Sequence, residues 1–204
     1  MFALVESGSI TKMLSGNRGI TIDGIQHPRA IYTLWTEAER NALGIYTVEI
    51  NESKKKDERW YINTDITYSF DGTNATGSHG DATARAHADT KWTQEEIDDN
   101  EAPEGADTDT VKVEGLKTIL IKNLKAQAES ELNKTDWYIT RKSEKNTAIP
   151  SAITTHRDAV RSKQAAMETA ITNASDTPAL ETLYTYTEQE DGSVTRPLGV
   201  IPTL

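Results

Sequence analysis

The side chains able to do acid–base or metal chemistry are scattered along the chain. His27, His79, His87 and His156 lie far apart in a sequence without cysteine, and an imidazole metal site needs at least two ligands at helical or turn spacing. His87-Ala88-Asp89 is the nearest approach to such a pair, and no His-Glu-x-x-His pattern occurs. The histidines therefore read as surface residues. The missing cysteines remove disulfides, thiol catalysis and cysteine-based zinc sites together. Ser15-Gly16-Asn17-Arg18-Gly19 contains two glycines but lacks the Gly-Lys-Ser/Thr ending of a phosphate loop, so it reads as a turn. No nucleophile elbow is present. With 32 acidic residues some carboxylates must lie close together, and a glycosidase pair cannot be recognised from their number. The acids between Glu95 and Asp109 lack the alternating oxygen ligands, central glycine and terminal glutamate of an EF-hand. These readings predict no enzyme, no cofactor and no metal.

Recognition chemistry is better represented. Trp137 and Tyr138, with Arg141 one helical turn on, are the residue types that dominate binding hot spots. The alternative for Trp137 is the role expected of Trp35, Trp60 and Trp92, each anchoring a local core. Ile153, Val160, Met167 and Ala174 recur every seven residues beside Ala152, Ala159, Ala166 and Ala170. Such a seam of small and apolar residues suits either an intramolecular hairpin or an intersubunit bundle. Leu198 and Ile201 sit with Val200 and Leu204 in a proline-rich tail that cannot continue a central strand. An apolar tail of this kind is expected to lie extended against a partner. The candidate interface is thus Trp137, Tyr138, Arg141, Ile153, Val160, Met167, Leu198 and Ile201.

The elements that must position these residues are legible from periodicity. Val113, Leu116, Leu120, Leu124, Ala128 and Leu132 recur every three or four residues, the stripe of an amphipathic helix. Thr135 reads as the N-cap of a compact corner, and Ile149-Pro150 as the entry to a second long helix. Towards the N-terminus, Glu6-Ser7-Gly8-Ser9 and Asp23-Gly24 are hairpin turns. Thr36 and Glu39 have capping-box spacing and predict a helix from Glu37 to Leu43, while Thr93 and Glu96 predict another from Gln94 to Asp98. Pro178 to Tyr184 can form a further short helix, and Glu190-Asp191-Gly192-Ser193 separates two short polar strands. The predicted fold is α+β, with a β-rich docking unit carrying a short helix over residues 1–72. A polar, acidic linker follows over 73–110, then a unit of two long antiparallel helices plus a short extended tail over 111–204.

Charge narrows the partners. A net charge of -10 opposes binding to a nucleic-acid backbone, and the only basic run, Lys54-Lys55-Lys56, leads straight into Asp57-Glu58. The acids from Glu95 to Asp109 contain no Lys or Arg between them and read as a solvated linker or as a strip that lies on a basic partner. Phe2 to Val5 is too short for a signal peptide core, and no stretch approaches the ~20 apolar residues of a membrane span. Membrane insertion is not expected.

The segments Gly115-Leu116-Lys117-Thr118, Lys125-Ala126-Gln127-Ala128, Thr135-Asp136-Trp137-Tyr138-Ile139-Thr140-Arg141-Lys142-Ser143-Glu144, Ile149-Pro150 and His156-Arg157-Asp158-Ala159-Val160-Arg161 occur in that order. Together they resemble the C-terminal part of tail-fibre-associated and tail assembly proteins of tailed bacteriophages. That family usually has Tyr where this chain has His156. A second resemblance covers Trp35-Thr36-Glu37-Ala38-Glu39 and Leu43-Gly44-Ile45-Tyr46. The resemblance implies a non-enzymatic virion structural protein, made in the host cytoplasm and assembled with other tail or fibre proteins. It further implies a homo-oligomer, with a trimer as one arrangement because fibre-like parts are often threefold. The alternative is an assembly chaperone absent from the finished particle.

Overall fold

Two tight turns start the N-terminal unit. Ser7 and Gly8, and again Asp23 and Gly24, hold positive φ, the backbone twist that matches a two-residue hairpin loop. They join strand β1 (Phe2–Glu6) to β2 (Ser9–Leu14) and β3 (Ile20–Ile22) to β4 (Ile25–His27). Two short helices follow, α1 (Ile31–Leu34) and α2 (Glu37–Ala42). The second has the expected capping box, in which the Thr36 hydroxyl accepts from the Glu39 N–H while the Glu39 carboxylate accepts from the Thr36 N–H. The unit thus has two short helices where one was expected.

Strands β5 (Ile45–Asn51), β6 (Tyr61–Ile62), β7 (Ile66–Phe70) and β8 (Ala75–His79) continue the chain. The structure, a computed structural model, describes residues 1–204 and divides into two compact units, Met1–Thr83 and Ala84–Leu204. In the first, a five-stranded sheet has the order β2-β1-β5-β8-β7, with β5 and β8 parallel and the other neighbours antiparallel. Alternation along the strands gives the sheet two apolar faces. Leu4, Leu14 and Ile45 pack with Ile20, Ile31 and Tyr32 on one, so α1 and the β3–β4 hairpin cover it. Ala3, Val48 and Ala75 gather Ile10, Met13, Tyr46, Tyr68 and Phe70 on the other.

A short strand β9 (Thr83–Ala84) spans the division, and the acidic stretch beyond it belongs to the second unit. It is not a structureless linker. Strand β10 (Thr90–Lys91) pairs with β11 (Val111–Val113), and between them Thr93 and Glu96 cap helix α3 (Gln94–Asp98) as their spacing predicts. Bringing the flanks together sets Lys91 2.7 Å from Asp109 and Lys112 2.6 Å from Glu96, counter-charges that lie just outside the run in sequence. The Lys112 ammonium, followed by the Thr93 N–H, lowers the Glu96 pKa to about 2.

Val113, expected to open the first long helix, is in β11 instead. Helix α4 (Leu116–Asn133) begins after Gly115, because that glycine sits against the Ala88 carbonyl, where a Cβ would approach within 2.3 Å. Its first N–H groups are satisfied from residues 86–89. Leu116 donates to the Ala86 carbonyl and Lys117 to that of His87. Asp89 accepts from the Gly115 N–H at 2.7 Å and from the Thr118 hydroxyl at 2.9 Å, which hold its carboxyl below the usual range.

Three more helices complete the unit, α5 (Asp136–Lys145), α6 (Ser151–Asn173) and α7 (Thr177–Tyr184). Asp176 caps the last through the Ala179 N–H, with Pro178 in its first turn. Glu131 meets His156, Lys125 meets Glu168, and Lys117 donates to the Thr172 carbonyl, so α4 and α6 run in opposite directions along each other. Ile153, Val160, Met167 and Ala174 are all buried. Two polar strands, β12 (Thr187–Glu188) and β13 (Val194–Thr195), precede the tail.

Val160 has no exposed surface, whereas neighbouring Ala159 faces solvent. Val160→Asp is expected to cost about 3–5 kcal/mol by burying an unpaired charge, and Ala159→Asp to stay within about 0.5 kcal/mol of wild type. Urea unfolding followed by circular dichroism separates the two, and equal midpoints would exclude a buried seam.

A candidate docking face on the C-terminal unit

The corner between α4 and α6 is built from polar groups. Arg157 is itself buried, and its Nη1 donates to the Leu132 carbonyl at 2.8 Å, to the Thr135 hydroxyl at 2.7 Å and to the Asp136 carboxylate at 2.8 Å. Thr135 was expected to cap α5. Its hydroxyl donates instead to the Leu132 carbonyl at 2.9 Å and accepts from Arg157, so no side chain caps that helix. The Leu132 carbonyl, left without a helical partner at the end of α4, also accepts the Thr135 N–H.

Beside this lies a second polar group. Glu131, also buried, accepts from the Lys134 ammonium and contacts His156 Nε2 at 3.1 Å. Its Oε1 also accepts the Leu204 N–H at 2.8 Å. Lys134 first, then the Leu204 N–H, hold its carboxyl below the ordinary value.

The corner aims α5 outward. None of its ten residues is buried. The Trp137 and Tyr138 rings are 4.0 Å apart, and the Arg141 guanidinium lies 4.8 Å from the first and 5.8 Å from the second. A cation over two rings fixes all three side chains and lowers the ordering cost of binding. Arg141 Nε is shielded from solvent without a hydrogen-bond partner. Trp137 is 52 % exposed and Ile139 43 %, whereas Trp60 is buried. Asp136 stands in the first turn of α5, Lys142 and Lys145 in its last, signs that complement the helix dipole. The helix ends at Asn146 in the left-handed conformation.

Of the eight interface residues expected from sequence, three are therefore together on one exposed helix: Trp137, Tyr138 and Arg141. Ile153, Val160 and Met167 are not available to a partner, because packing of α6 within the unit buries them. Leu198 is buried as well, with its N–H on the Leu183 carbonyl, because the tail turns back onto its own unit. Ile201 is half-buried in a cavity of about 640 Å³ between α4 and the tail, lined also by Asn123, Ala126, Gln127 and Val200. Residues missed from sequence are Glu131 and Arg157, which look like ordinary surface charges in a polar helix pattern. For Glu131 the signal was its position four residues before the Thr135-Asp136 break; Arg157, more than twenty residues beyond it, carried none.

No protein-family model matches the chain, and no curated protein or solved structure matches it. No helix is long and apolar enough to cross a membrane.

Arg157→Met is expected to cost about 2–3 kcal/mol, since it leaves the Leu132 carbonyl and Asp136 without their charged donor. A urea midpoint equal to that of wild type would exclude the corner as a structural pin. Glu131 supplies a pH dependence of known sign. Its folded pKa lies below the ordinary 4.5, so its stabilisation is complete above the unfolded value and is lost as pH falls through the folded one. Glu131→Gln should be less stable than wild type at pH 7 and converge with it in acid, which melting curves from pH 7 to pH 3 would test.

Proposed function

We propose that the protein is a non-enzymatic structural component of a tailed-phage virion, attached to the tail or its fibres through protein–protein contacts. The observation that carries this reading is the convergence of the resembling segments. Thr135, Asp136 and Arg157 come from two of them, and the corner they make presents Trp137, Tyr138 and Arg141 on an exposed helix. Aromatic residues braced by arginine give large contact area with few rotamers to freeze, the quality of a binding hot spot. The partners are other virion proteins, and the chain is made in the host cytoplasm before assembly. Homo-oligomers belong to this reading, with α5 rather than the buried seam as the surface that meets a neighbour.

Mass spectrometry of purified particles tests it. A stoichiometric amount of the protein is expected, whereas presence in lysates alone would favour an assembly chaperone. The double variant Trp137→Ala, Arg141→Ala should reduce incorporation at least thirtyfold, about 2 kcal/mol of binding, while melting within a few degrees of wild type. Unchanged incorporation would remove α5 from the docking face.

A further inference from the structure

A second cavity, in the N-terminal unit, has a different chemistry. Its volume is about 240 Å³, and Lys12, Met13, Leu14, Ser15, Gly16, Arg18, Gly19, Ile20 and Tyr32 line it. The turn that lacks a nucleotide-binding ending in sequence thus forms one wall of a concave site. Two cations and no carboxylate stand in this lining, in a chain whose acids outnumber Lys and Arg by 32 to 22. Neither Lys12 nor Arg18 has an ion-pair partner.

Tyr32 adds an independent observation. The residue is 7 % exposed, its ring lies 4.9 Å from that of Phe2, and its hydroxyl has no hydrogen-bond partner in the protein. A buried tyrosine normally places its hydroxyl on an acceptor. Here it is not among the polar atoms sealed from solvent, so the hydroxyl keeps some exposed surface on a residue that lines the cavity. Burial raises its pKa, which keeps it a proton donor at neutral pH. Ser15 already donates to Asn17 Oδ1 at 2.6 Å, so its proton is committed within the loop. Leu14 and Ile20, buried on that face of the sheet, supply the apolar wall.

We propose that this cavity binds a small oxyanion, a carboxylate or phosphate group of a compact ligand, between Lys12 and Arg18 with the Tyr32 hydroxyl donating to it. The donor set is complementary to that chemistry. Guanidinium and ammonium groups supply charge-assisted hydrogen bonds, and a neutral phenol adds a directed one. The volume lies below the 300–1,000 Å³ common for drug-sized ligands, so the occupant has few atoms or inserts only its anionic end. A polymeric nucleic acid does not fit such a site.

The test uses the full chain titrated with inorganic phosphate and, separately, with citrate, against sodium chloride at matched ionic strength. Melting temperature and amide nuclear magnetic resonance shifts are read together. Saturable binding by one or both oxyanions is expected, with shifts concentrated at residues 12–20, and the arm that responds identifies the tetrahedral or the planar group. Lys12→Gln with Arg18→Gln should weaken binding at least tenfold, and Tyr32→Phe, which keeps the buried ring, severalfold. Both variants should melt close to wild type without ligand. A response no larger than that to chloride in both arms, or equal binding by the double variant, would overturn the proposal.

Discussion

Three acceptors converge on one guanidinium nitrogen of Arg157, and the arrangement of the C-terminal helices depends on that convergence. The Leu132 carbonyl marks the end of α4, Thr135 the break, and Asp136 the start of α5. A single side chain from α6 therefore ties the end of one helix to the beginning of the next. Nη1 carries two hydrogens, so one of its bonds is shared among these acceptors. Apolar burial along the seam is non-directional and so tolerant of sliding. Hydrogen bonds of fixed direction are not, and they define where the chain turns.

Around that corner the burial of charge is matched by partners on several elements. Glu131 receives Lys134 from the end of its own helix, His156 from α6 and the Leu204 N–H from the tail. A buried carboxylate with only one of these would be costly. Three distribute the compensation, and they make the tail part of the helical unit rather than an appendage. The same surroundings explain why no residue of α5 is buried. Its neighbours are fixed by contacts at its first residue, leaving Trp137, Tyr138 and Arg141 to brace one another.

Local rules carried well from sequence to structure. Both capping boxes form at Thr36 and Thr93, both two-residue hairpin turns adopt positive φ, and Pro178 opens α7, because each depends on interactions within a few residues. What escaped the sequence was nonlocal. Lys91 and Lys112 neutralise part of an acidic run only because β10 and β11 pair across it. Thr135 is a capping residue by type, but an arginine 22 positions later claims its hydroxyl. The seven-residue repeat correctly marked a buried face in α6, yet periodicity has no means of distinguishing a neighbouring helix from a neighbouring subunit. Of the candidate site, the aromatic–arginine trio was legible because all three members share one helix. The cavity beside Tyr32 was not, since it joins a turn to a side chain more than ten residues away.

The start of α4 has a consequence for how the chain acquires its structure. Asp89 and the carbonyls of Ala86 and His87 stand in for a local cap, the carboxylate lying 26 positions before the Gly115 N–H it accepts. The long helix lacks a self-sufficient beginning. Its first turn becomes satisfied only after the intervening loop, with α3 and the paired strands, has closed. Helix formation in the C-terminal unit is thereby made conditional on a contact of high sequence separation, which slows folding relative to a simple helical hairpin. In exchange, the helix and the acidic lobe that precedes it are bound to fold as one cooperative body.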